Sequence, residues 1–555
     1  MQIFERILSA IVSFFIFLSS ATGNLFAGSS TAYFSVDTNS RGKIIGNVVS
    51  NLNVWDMGTT FYSPNPNSEN NVFEFVKYIQ LMQCSGGTAD RDLFVDPLDR
   101  SVLDDYDFSR LVENCRGILS LGAKPHLKLG GVPLKYTTGV EFGGFDMNVY
   151  PPDDYGVYYN YIYALADTLV KEFGKEEVAM WRFGVMTEYE NAAWFMAKSG
   201  DKNDSAVAFC KLYDYTVQAL IDAVGDNVFV GAHSMTVTEG MWSEEIFIKH
   251  IAQGTNYANG QKGTRVCFLS ASFYDATPGE YTDGKTLPET IGYLRKTAEK
   301  YGLYNLIYGI DEGRILSGNT SGKDSDQLFS RTCGYTYQGA YDARLWLQCV
   351  ENDIDYFSSW GYLTDGFMSG FPTISYHVAQ HMSRFCGMEM IEITSNHFLP
   401  AAFGAEVKSL AAYDEETDTF RIMTYNFKND VDYSKTAEVK FELSMPQYNG
   451  KEVTVTTYRI NDDCNFFDEW CEDRETYGIG DDCFGWSPDD PCLDGGVTLN
   501  DPEALELYRT ELRDKYIECS QLIPETHTAT VTDGVLVIED TIDPNGVIFY
   551  EITVK

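Results

Sequence analysis

The chain has 555 residues, 44% of them apolar, which is enough for one large domain and a second, smaller one. Its 81 acidic residues outnumber its 41 basic ones and give a net charge of −40. A charge of this sign repels nucleic acid and anionic membrane surfaces, so composition argues against both partners and favours a neutral or cationic ligand.

The chain begins with a segment that is typical of a secretory signal. A single base, Arg6, precedes an apolar stretch from Ile7 to Leu18, and small residues follow it. We therefore predict a signal peptide over residues 1–27 and a secreted, extracellular mature protein. Glu5 weakens the positive region, so a retained N-terminal anchor stays open as the alternative. Residues 28–45 are predicted as a strand segment that packs on the C-terminal domain.

Between residues 46 and 386, short apolar runs alternate with longer segments of helical period. In "YYNYIYALADTLVKEFG" apolar residues recur at spacings of three and four from Tyr158 to Phe173, and the strand-like run "VAMWRFGV" follows. Four further segments repeat this order. Repeated strand–helix units force parallel strands, and about 340 residues of them fit a (β/α)8 TIM barrel of the α/β class. The absence of a Gly-rich phosphate motif after "IGNVVSNLNVWD" argues against a nucleotide-binding sheet.

The hydrophobic pattern changes in residues 387–555, where apolar and polar residues alternate with a period of two. "SLAAYDEETDTFRIMTYNF" reads as two strands around an acidic turn, and four later runs continue the alternation. This pattern predicts an antiparallel β-sandwich. Residues 461–503 interrupt it with fourteen acids and the single base Arg474. We expect a solvated excursion there rather than a calcium loop, and no metal or cofactor for the protein.

The twelve cysteines fall into two groups. One group is scattered singly among apolar segments, as buried free thiols usually are. The other is crowded into the acidic stretch and just beyond it, and comprises Cys464, Cys471, Cys483, Cys492 and Cys519. In an exported protein such crowding predicts disulfides, whose pairing the sequence leaves open.

Two of the apolar strands end in carboxylates. Glu188 and Glu190 follow the strand-like run from Trp181 to Val185, and Asp311 and Glu312 follow "LIYGI". In a (β/α) barrel both sets of carboxylates emerge on one rim, and two opposed carboxylates are the catalytic groups of glycoside hydrolysis. A single such acid is more often a helix N-terminal or surface charge, so the prediction rests on the pair.

Four segments in order resemble glycoside hydrolase family 39. "LGAKPHLKLGGVPLKYTTG" is similar to its third strand, "WRFGVMTEYEN" to its fourth, "NLIYGIDEG" to its seventh and "IDYFSSWGYLTDGF" to its eighth. The resemblance covers most of residues 46–386, and a trailing sandwich is also expected of the family.

The resemblance implies a retaining mechanism, with Glu188 as general acid/base and Glu312 as nucleophile, their carboxyl groups about 5 Å apart. Asp311 would then be a supporting acid on the opposite side of the strand from Glu312, if that strand stays extended. Glu190 remains a rival for the acid role. The family's Asn before the acid/base is Thr187 here.

The rim supplies further candidates for substrate binding. Ser272 stands where the family's sixth strand has a His, which leaves Tyr274 as the nearest polar aromatic residue. Trp194 is one of several tryptophans suited to stacking on a sugar ring. The full set of candidate substrate-binding residues is Trp55, His126, Lys128, Thr187, Tyr274, Tyr308, Trp360 and Asp365.

The sequence therefore predicts a secreted retaining glycoside hydrolase that acts on a pentose-type oligo- or polysaccharide containing xylose or arabinose. One alternative is a uronic-acid glycosidase of the iduronidase type, if Lys128 and Arg314 both face the pocket and bind a sugar carboxylate. The other is a glycan-binding protein on a catalytically degenerate barrel, which the unusual Thr187 keeps open. The sugar, its anomer, exo or endo action and oligomeric state are left open.

Overall fold

The computed structural model describes residues 31–54, 74–82, 84–236, 239–275, 284–315, 336–359, 372–396, 404–485, 498–499 and 501–554. The predicted signal peptide, together with Trp55, Trp360, Asp365, Cys333 and Cys492, lies outside these residues. Within them, no helix is long and apolar enough to cross a membrane.

After a first strand β1 (Ala32–Ile44), eight parallel strands close into a barrel. They are β2 (Asn51–Val54), β3 (Tyr78–Leu81), β4 (Lys124–Leu129), β5 (Arg182–Val185), β6 (Phe229–Thr236), β7 (Phe268–Asp275), β8 (Ile307–Ile315) and β9 (Tyr356–Ser359). Asn51 of β2 pairs with Ser358 of β9 and closes the ring. The predicted (β/α)8 barrel is confirmed.

Helices lie between the strands and cover the barrel. They are α1 (Ser109–Ser120), α2 (Tyr155–Phe173), α3 (Lys175–Val178), α4 (Lys202–Val224), α5 (Glu244–Gln253), α6 (Leu287–Lys300), α7 (Tyr337–Glu351) and α8 (Ile374–Ser383). The helix predicted from the period of three and four is α2, which buries Tyr158, Ile162, Leu165 and Leu169. Asp154 caps it by accepting the backbone N–H groups of Gly156 and Val157.

The C-terminal domain is built on one nine-stranded sheet. Its strands after the barrel are β10 (Glu389–Ser395), β11 (Glu406–Asp414), β12 (Thr419–Phe427), β13 (Ala437–Ser444), β14 (Glu452–Ile460), β17 (Glu525–Thr530), β18 (Val535–Ile542) and β19 (Val547–Val554). The order is β17-β14-β19-β12-β11-β10-β1-β13-β18. β1 pairs antiparallel with β10 but parallel with β13, so the sheet is mixed rather than purely antiparallel.

This sheet folds back on itself into two layers. Phe441 of β13 and Tyr550 of β19 are separated by four intervening strands, yet their ring centroids lie only 5.8 Å apart. Arg459 of β14, the strand next to one end of the sheet, forms a salt bridge of 2.8 Å with Asp540 of β18 at the other end. The two faces thus enclose a sandwich-like apolar core.

The described parts of the acidic insertion, residues 461–485, 498–499 and 501–503, are folded, contrary to the expectation of a solvated excursion. Its elements are α9 (Phe467–Tyr477), the short strands β15 (Phe484–Gly485) and β16 (Thr498–Leu499), and, just beyond it, α10 (Pro502–Leu507) and α11 (Arg513–Cys519). Trp470 and Tyr516 are buried in a separate small core. Along α9, Phe467 and Trp470 are buried, whereas Asp468, Glu472 and Glu475 are exposed. Of the cysteine cluster, Cys464, Cys471, Cys483 and Cys519 are not joined to one another by disulfides.

Candidate active site

The two glutamates singled out by the sequence lie at the same end of the barrel. Glu188 follows the carboxyl end of β5, and Glu312 lies in the second half of β8, level with Ser272 of β7. All strands of a parallel barrel end on one rim, which is where the active sites of this architecture are found. Burial lowers the pKa of Lys128, while the charges of Asp311, Glu312 and Glu188 act in the opposite direction, so both glutamates lie within electrostatic reach of its ammonium group.

Glu188 is held in an uncommon backbone conformation by its surroundings. Its φ is 43°, and that of Met186 two residues earlier is 64°, both in the left-handed region that residues other than glycine rarely occupy. Asn191 Nδ2 and Trp194 Nε1 donate hydrogen bonds to the same carboxylate oxygen, Oε2, at 2.7 and 3.1 Å. Strain of this kind is concentrated at functional sites, where the surrounding structure maintains it.

A β-bulge in β8 sets the direction of the Glu312 side chain. Ala271 of β7 pairs with Ile310, but the next residue, Ser272, pairs with Glu312, so Asp311 is the extra residue of β8. Because a bulge interrupts the alternation of faces, Asp311 and Glu312 do not take the opposite faces that an extended strand would give them. Glu312 Oε1 accepts a hydrogen bond of 2.6 Å from the Tyr274 hydroxyl.

Asp311 lies in the barrel interior beneath this site. Its Oδ2 is 2.6 Å from Lys128 Nζ, and its Oδ1 accepts a hydrogen bond of 2.6 Å from the Tyr356 hydroxyl. Burial acts to raise the pKa of Asp311, but the attraction and hydrogen bond of Lys128, with smaller effects of His126 and His233, together outweigh it and hold that pKa below its usual range. The Asp311 carbonyl accepts further hydrogen bonds from Gln80 and Asn53, so the bulged residue is fixed through its backbone as well.

Several residues proposed to bind substrate are placed elsewhere. Lys128 is 2% exposed and its ammonium is engaged by Asp311, and His126 is fully buried, which lowers its pKa to about 3. Tyr308 packs outside the barrel against α6, with the Arg295 guanidinium 4.9 Å from the centre of its ring. These three side chains are buried and make their contacts within the protein.

Arg314 is likewise occupied within the protein. Its Nε and Nη2 donate to the two carboxylate oxygens of Asp342 on α7, at 2.8 and 2.9 Å, and Nη2 also binds Gln338 and Ser375. The side chain is 1% exposed. The condition on which the uronic-acid alternative rested, that Lys128 and Arg314 both face the pocket, is not met.

Thr187 remains at the site. It is buried next to Glu188 and borders a narrow cleft whose other walls include Met82, Met147, Asn148 and Trp194. Tyr189, which follows Glu188, stacks on Phe209 with ring centroids 4.5 Å apart.

Glu190, the rival for the acid role, is completely buried. Its Oε1 accepts the backbone N–H groups of Met235 and Thr236 at the end of β6, at 2.7 and 3.1 Å, and its carbonyl accepts that of Met241. Burial, with repulsion from Glu244, raises the pKa of Glu190 well above its usual range. Glu190 therefore ties the loop that carries Glu188 to the end of β6.

The two catalytic candidates are joined by a small apolar cluster. Met82 at the end of β3 is 2% exposed, and Trp194 and Tyr274 both pack against it. Trp194 donates to Glu188 and Tyr274 to Glu312. Met82 therefore lies between the two donors, and the carboxylates flank one apolar floor.

Sequence reasoning missed several members of this site. Asn191 lies three residues after Glu188, a spacing that allows a turn to bring its amide back to the carboxylate. Met82 carries no signal that separates it from an ordinary core residue. His233 Nε2 lies 2.8 Å from Ser272 Oγ, so a histidine from β6 stands beside the serine on β7.

Comparison with known proteins identifies the family model that matches this chain. The model for glycosyl hydrolases family 39 matches residues 97–403. Among solved structures, the GH39 enzyme from Xanthomonas axonopodis pv. citri is 14% identical, with a TM-score of 0.65 over 95% of this chain and 98% of that one.

Two further structures share the fold over most of this chain. A monomeric β-xylosidase from Caulobacter crescentus CB15 is 14% identical, with a TM-score of 0.62 over 94% of this chain and 99% of that chain. A bacterial orthologue of human α-L-iduronidase is also 14% identical, with a TM-score of 0.61 over 94% of this chain and 84% of its own. At this identity the likeness establishes the shared architecture of barrel and sheet domain.

Proposed function

This chain belongs to glycosyl hydrolases family 39, and from that premise we propose that it hydrolyses a glycan by double displacement, with Glu312 as nucleophile and Glu188 as acid/base. Family membership makes the protein a glycoside hydrolase with a carbohydrate substrate and supports retention of configuration at the anomeric carbon. The residue roles, the two-step route and the sugar are our proposal.

In the first step Glu312 attacks the anomeric carbon while Glu188 gives its proton to the departing glycosidic oxygen. The bond from carbon to that oxygen breaks and a bond from carbon to the Glu312 carboxylate forms. In the second step Glu188 takes a proton from water, whose oxygen attacks the same carbon and releases Glu312. Two inversions give net retention.

The observation that carries this proposal is the Met82 cluster between the two glutamates. Trp194 and Tyr274 both pack against one buried methionine, and each donates a hydrogen bond to one of the carboxylates. A sugar ring that rests over this floor would have a carboxylate on either side. Retaining hydrolysis requires that arrangement.

The donors also fit the separate roles of the two acids. Asn191 and Trp194 both donate to Glu188 Oε2, so the transferable proton belongs on the other oxygen, Oε1. The Tyr274 hydroxyl binds Glu312 Oε1 and favours the ionised form that a nucleophile needs.

The electrostatics favour a neutral sugar, and we propose a pentose-type substrate. In the part of the chain that the structure describes, the two cations considered for a sugar carboxylate are each neutralised by an internal partner, Lys128 by Asp311 and Arg314 by Asp342. The net charge of −40 would further oppose an acidic glycan. Export from the cell also remains a proposal, which rests on the apolar N-terminal stretch.

The test is a hydrolysis screen of α- and β-linked aryl xylosides, arabinosides and uronides with wild type, Glu188→Ala and Glu312→Ala, and Glu190→Gln as matched control. We expect Glu188→Ala to lower the rate by about 10²–10⁴-fold, least for activated leaving groups. Azide should rescue Glu188→Ala with retained configuration and Glu312→Ala with inverted configuration, since azide enters the vacated place in each.

Four outcomes would contradict the proposal. Activity untouched by both alanine substitutions would show that the site is elsewhere. A first product of inverted configuration, seen by NMR before mutarotation, would exclude double displacement. Binding of glycans without hydrolysis of any glycoside would favour the glycan-binding alternative, and preference for uronides would favour the iduronidase type.

A further inference from the structure

An exposed aromatic residue stands beside the proposed acid/base without a part in the chemistry. Phe145 belongs to the loop between β4 and α2 and is 60% exposed. Its ring is nearly parallel to the indole of Trp194, with an interplanar angle of 16° and centroids 5.9 Å apart. Trp194 is the residue whose N–H binds Glu188, so the pair of rings extends outward from that carboxylate.

The backbone of this loop is arranged to place the ring there. Phe145 has a φ of 51° and Asp146 a φ of 57°, a left-handed conformation that is costly for residues with side chains. Burial of the ring does not offset the free-energy cost of this backbone conformation, because most of the Phe145 ring remains in water. An exposed apolar ring that is held in place by a backbone conformation costly in free energy is typical of a binding surface.

Two glycines allow the loop to approach Trp194 so closely. A Cβ at Gly143 would lie 2.1 Å from the Ala193 carbonyl oxygen, and one at Gly144 would lie 3.3 Å from the indole ring. The Gly144 N–H donates to that same Ala193 carbonyl at 2.7 Å. The loop is therefore anchored on the segment that carries Trp194, and Phe145 follows directly from the anchor.

The same loop also reaches the catalytic cleft. Met147 and Asn148, two and three residues after Phe145, line the narrow cleft that Thr187 and Trp194 border. Phe145 thus lies at the outer edge of a surface that continues inward to the residue before Glu188.

We propose that Phe145, backed by Trp194, is an aglycone-binding platform that stacks on the ring of the leaving group, either a neutral sugar or a flat aryl group. This inference rests on the proposed function, because it takes Glu188 as the acid/base. The acid/base must reach the glycosidic oxygen, so an aromatic surface that extends from it meets the group on the departing side of that oxygen. The apolar faces of sugar and aryl rings are the partners that such surfaces bind.

The test compares leaving groups with one glycone, namely the one that the wild-type protein hydrolyses fastest in the screen above. Its probes are the glycosyl fluoride, whose leaving group carries no ring, the 4-nitrophenyl glycoside and the homologous disaccharide. The variants are Phe145→Ala, the conservative Phe145→Tyr, and Phe142→Ala as matched control, since Phe142 lies in the same loop and is 55% exposed.

We expect Phe145→Ala to lower kcat/KM about three- to tenfold for the 4-nitrophenyl glycoside and the disaccharide, with the fluoride changed less than about twofold. Phe145→Tyr and Phe142→Ala should behave as wild type with all three probes. Urea unfolding of each variant would establish that the fold is intact.

Two results would overturn the inference. A loss confined to the disaccharide would mean that Phe145 only supports Trp194 and Glu188, because activated leaving groups need acid catalysis least, and no loss for any of them would mean that the ring does not meet the leaving group. Failure of the proposed function has a different signature, in which Glu188→Ala and Glu312→Ala retain activity or the wild type hydrolyses no glycoside.

Discussion

Glu190 provides a sharp test of the way the acid/base loop is built. Replacing it by alanine removes the acceptor of two backbone N–H groups, those of Met235 and Thr236, at a site with no solvent exposure. A buried donor without an acceptor costs about 1–3 kcal/mol, so the expected loss in free energy of unfolding is about 2–5 kcal/mol. Glutamine keeps the acceptor oxygen and the shape, and should cost little.

The stability of both variants relative to wild type should also change with pH. Burial and the charge of Glu244 raise the pKa of Glu190 in the folded protein, so the folded state holds this proton more tightly than the unfolded chain does. The stability that the proton contributes is complete below the unfolded value of about 4.3 and is lost as pH rises through the higher folded pKa. Glutamine does not titrate, so the stability of Glu190→Gln relative to wild type should rise over that window.

The assay is urea unfolding of wild type, Glu190→Gln and Glu190→Ala at a series of pH values, with kcat measured on the same preparations. The glutamine variant should keep near wild-type kcat, because Glu190 holds the loop and transfers no proton in this account. A loss of activity in Glu190→Gln as deep as that of Glu188→Ala would refute the reasoning and make Glu190 the acid.

Three further changes are predicted around the same floor. Tyr274→Phe removes the hydroxyl that binds Glu312, so kcat/KM should fall roughly 10- to 100-fold, the effect of one hydrogen bond to a charged group, with little change in urea unfolding. Lys128→Met leaves the charge of Asp311 buried in the barrel without its ion-pair partner and should lower the free energy of unfolding by about 3–5 kcal/mol. The double substitution Lys128→Met/Asp311→Asn removes that charge as well and should recover most of this loss. Trp194→Phe keeps an aromatic ring but loses the N–H donor to the acid/base, so its loss of rate should be larger for poor leaving groups than for activated ones.

Much of the architecture could be predicted from the sequence because it follows from local periodicity. The recurrence of a helical period before an apolar run identified the parallel barrel, and two-residue alternation identified the hairpin of β11 and β12 around its acidic turn. The position of Glu188 and Glu312 on one rim then followed from topology alone, since every strand of such a barrel ends on the same side.

What could not be predicted depends on register and on partners distant in sequence. The bulge at Asp311 arises from the pairing of β8 with β7, which a single strand does not encode, and it alters the direction of both acids. Lys128 and Arg314 resembled rim cations, but each is matched by a buried aspartate 183 or 28 residues away. The acidic insertion resembled an unstructured segment because its charge outweighs its aromatic residues in composition, although those residues form a core when folded.

The most direct test of the central claim is to trap the covalent intermediate. A 2-deoxy-2-fluoro glycosyl fluoride of the preferred glycone slows the second step more than release of fluoride, so the glycosyl group should accumulate on the nucleophile. The account predicts one added glycosyl group per chain, found by peptide mass spectrometry on Glu312 and absent from Glu312→Ala. A label on Asp311 or Glu190, or turnover without any adduct together with a first product of inverted configuration, would contradict it.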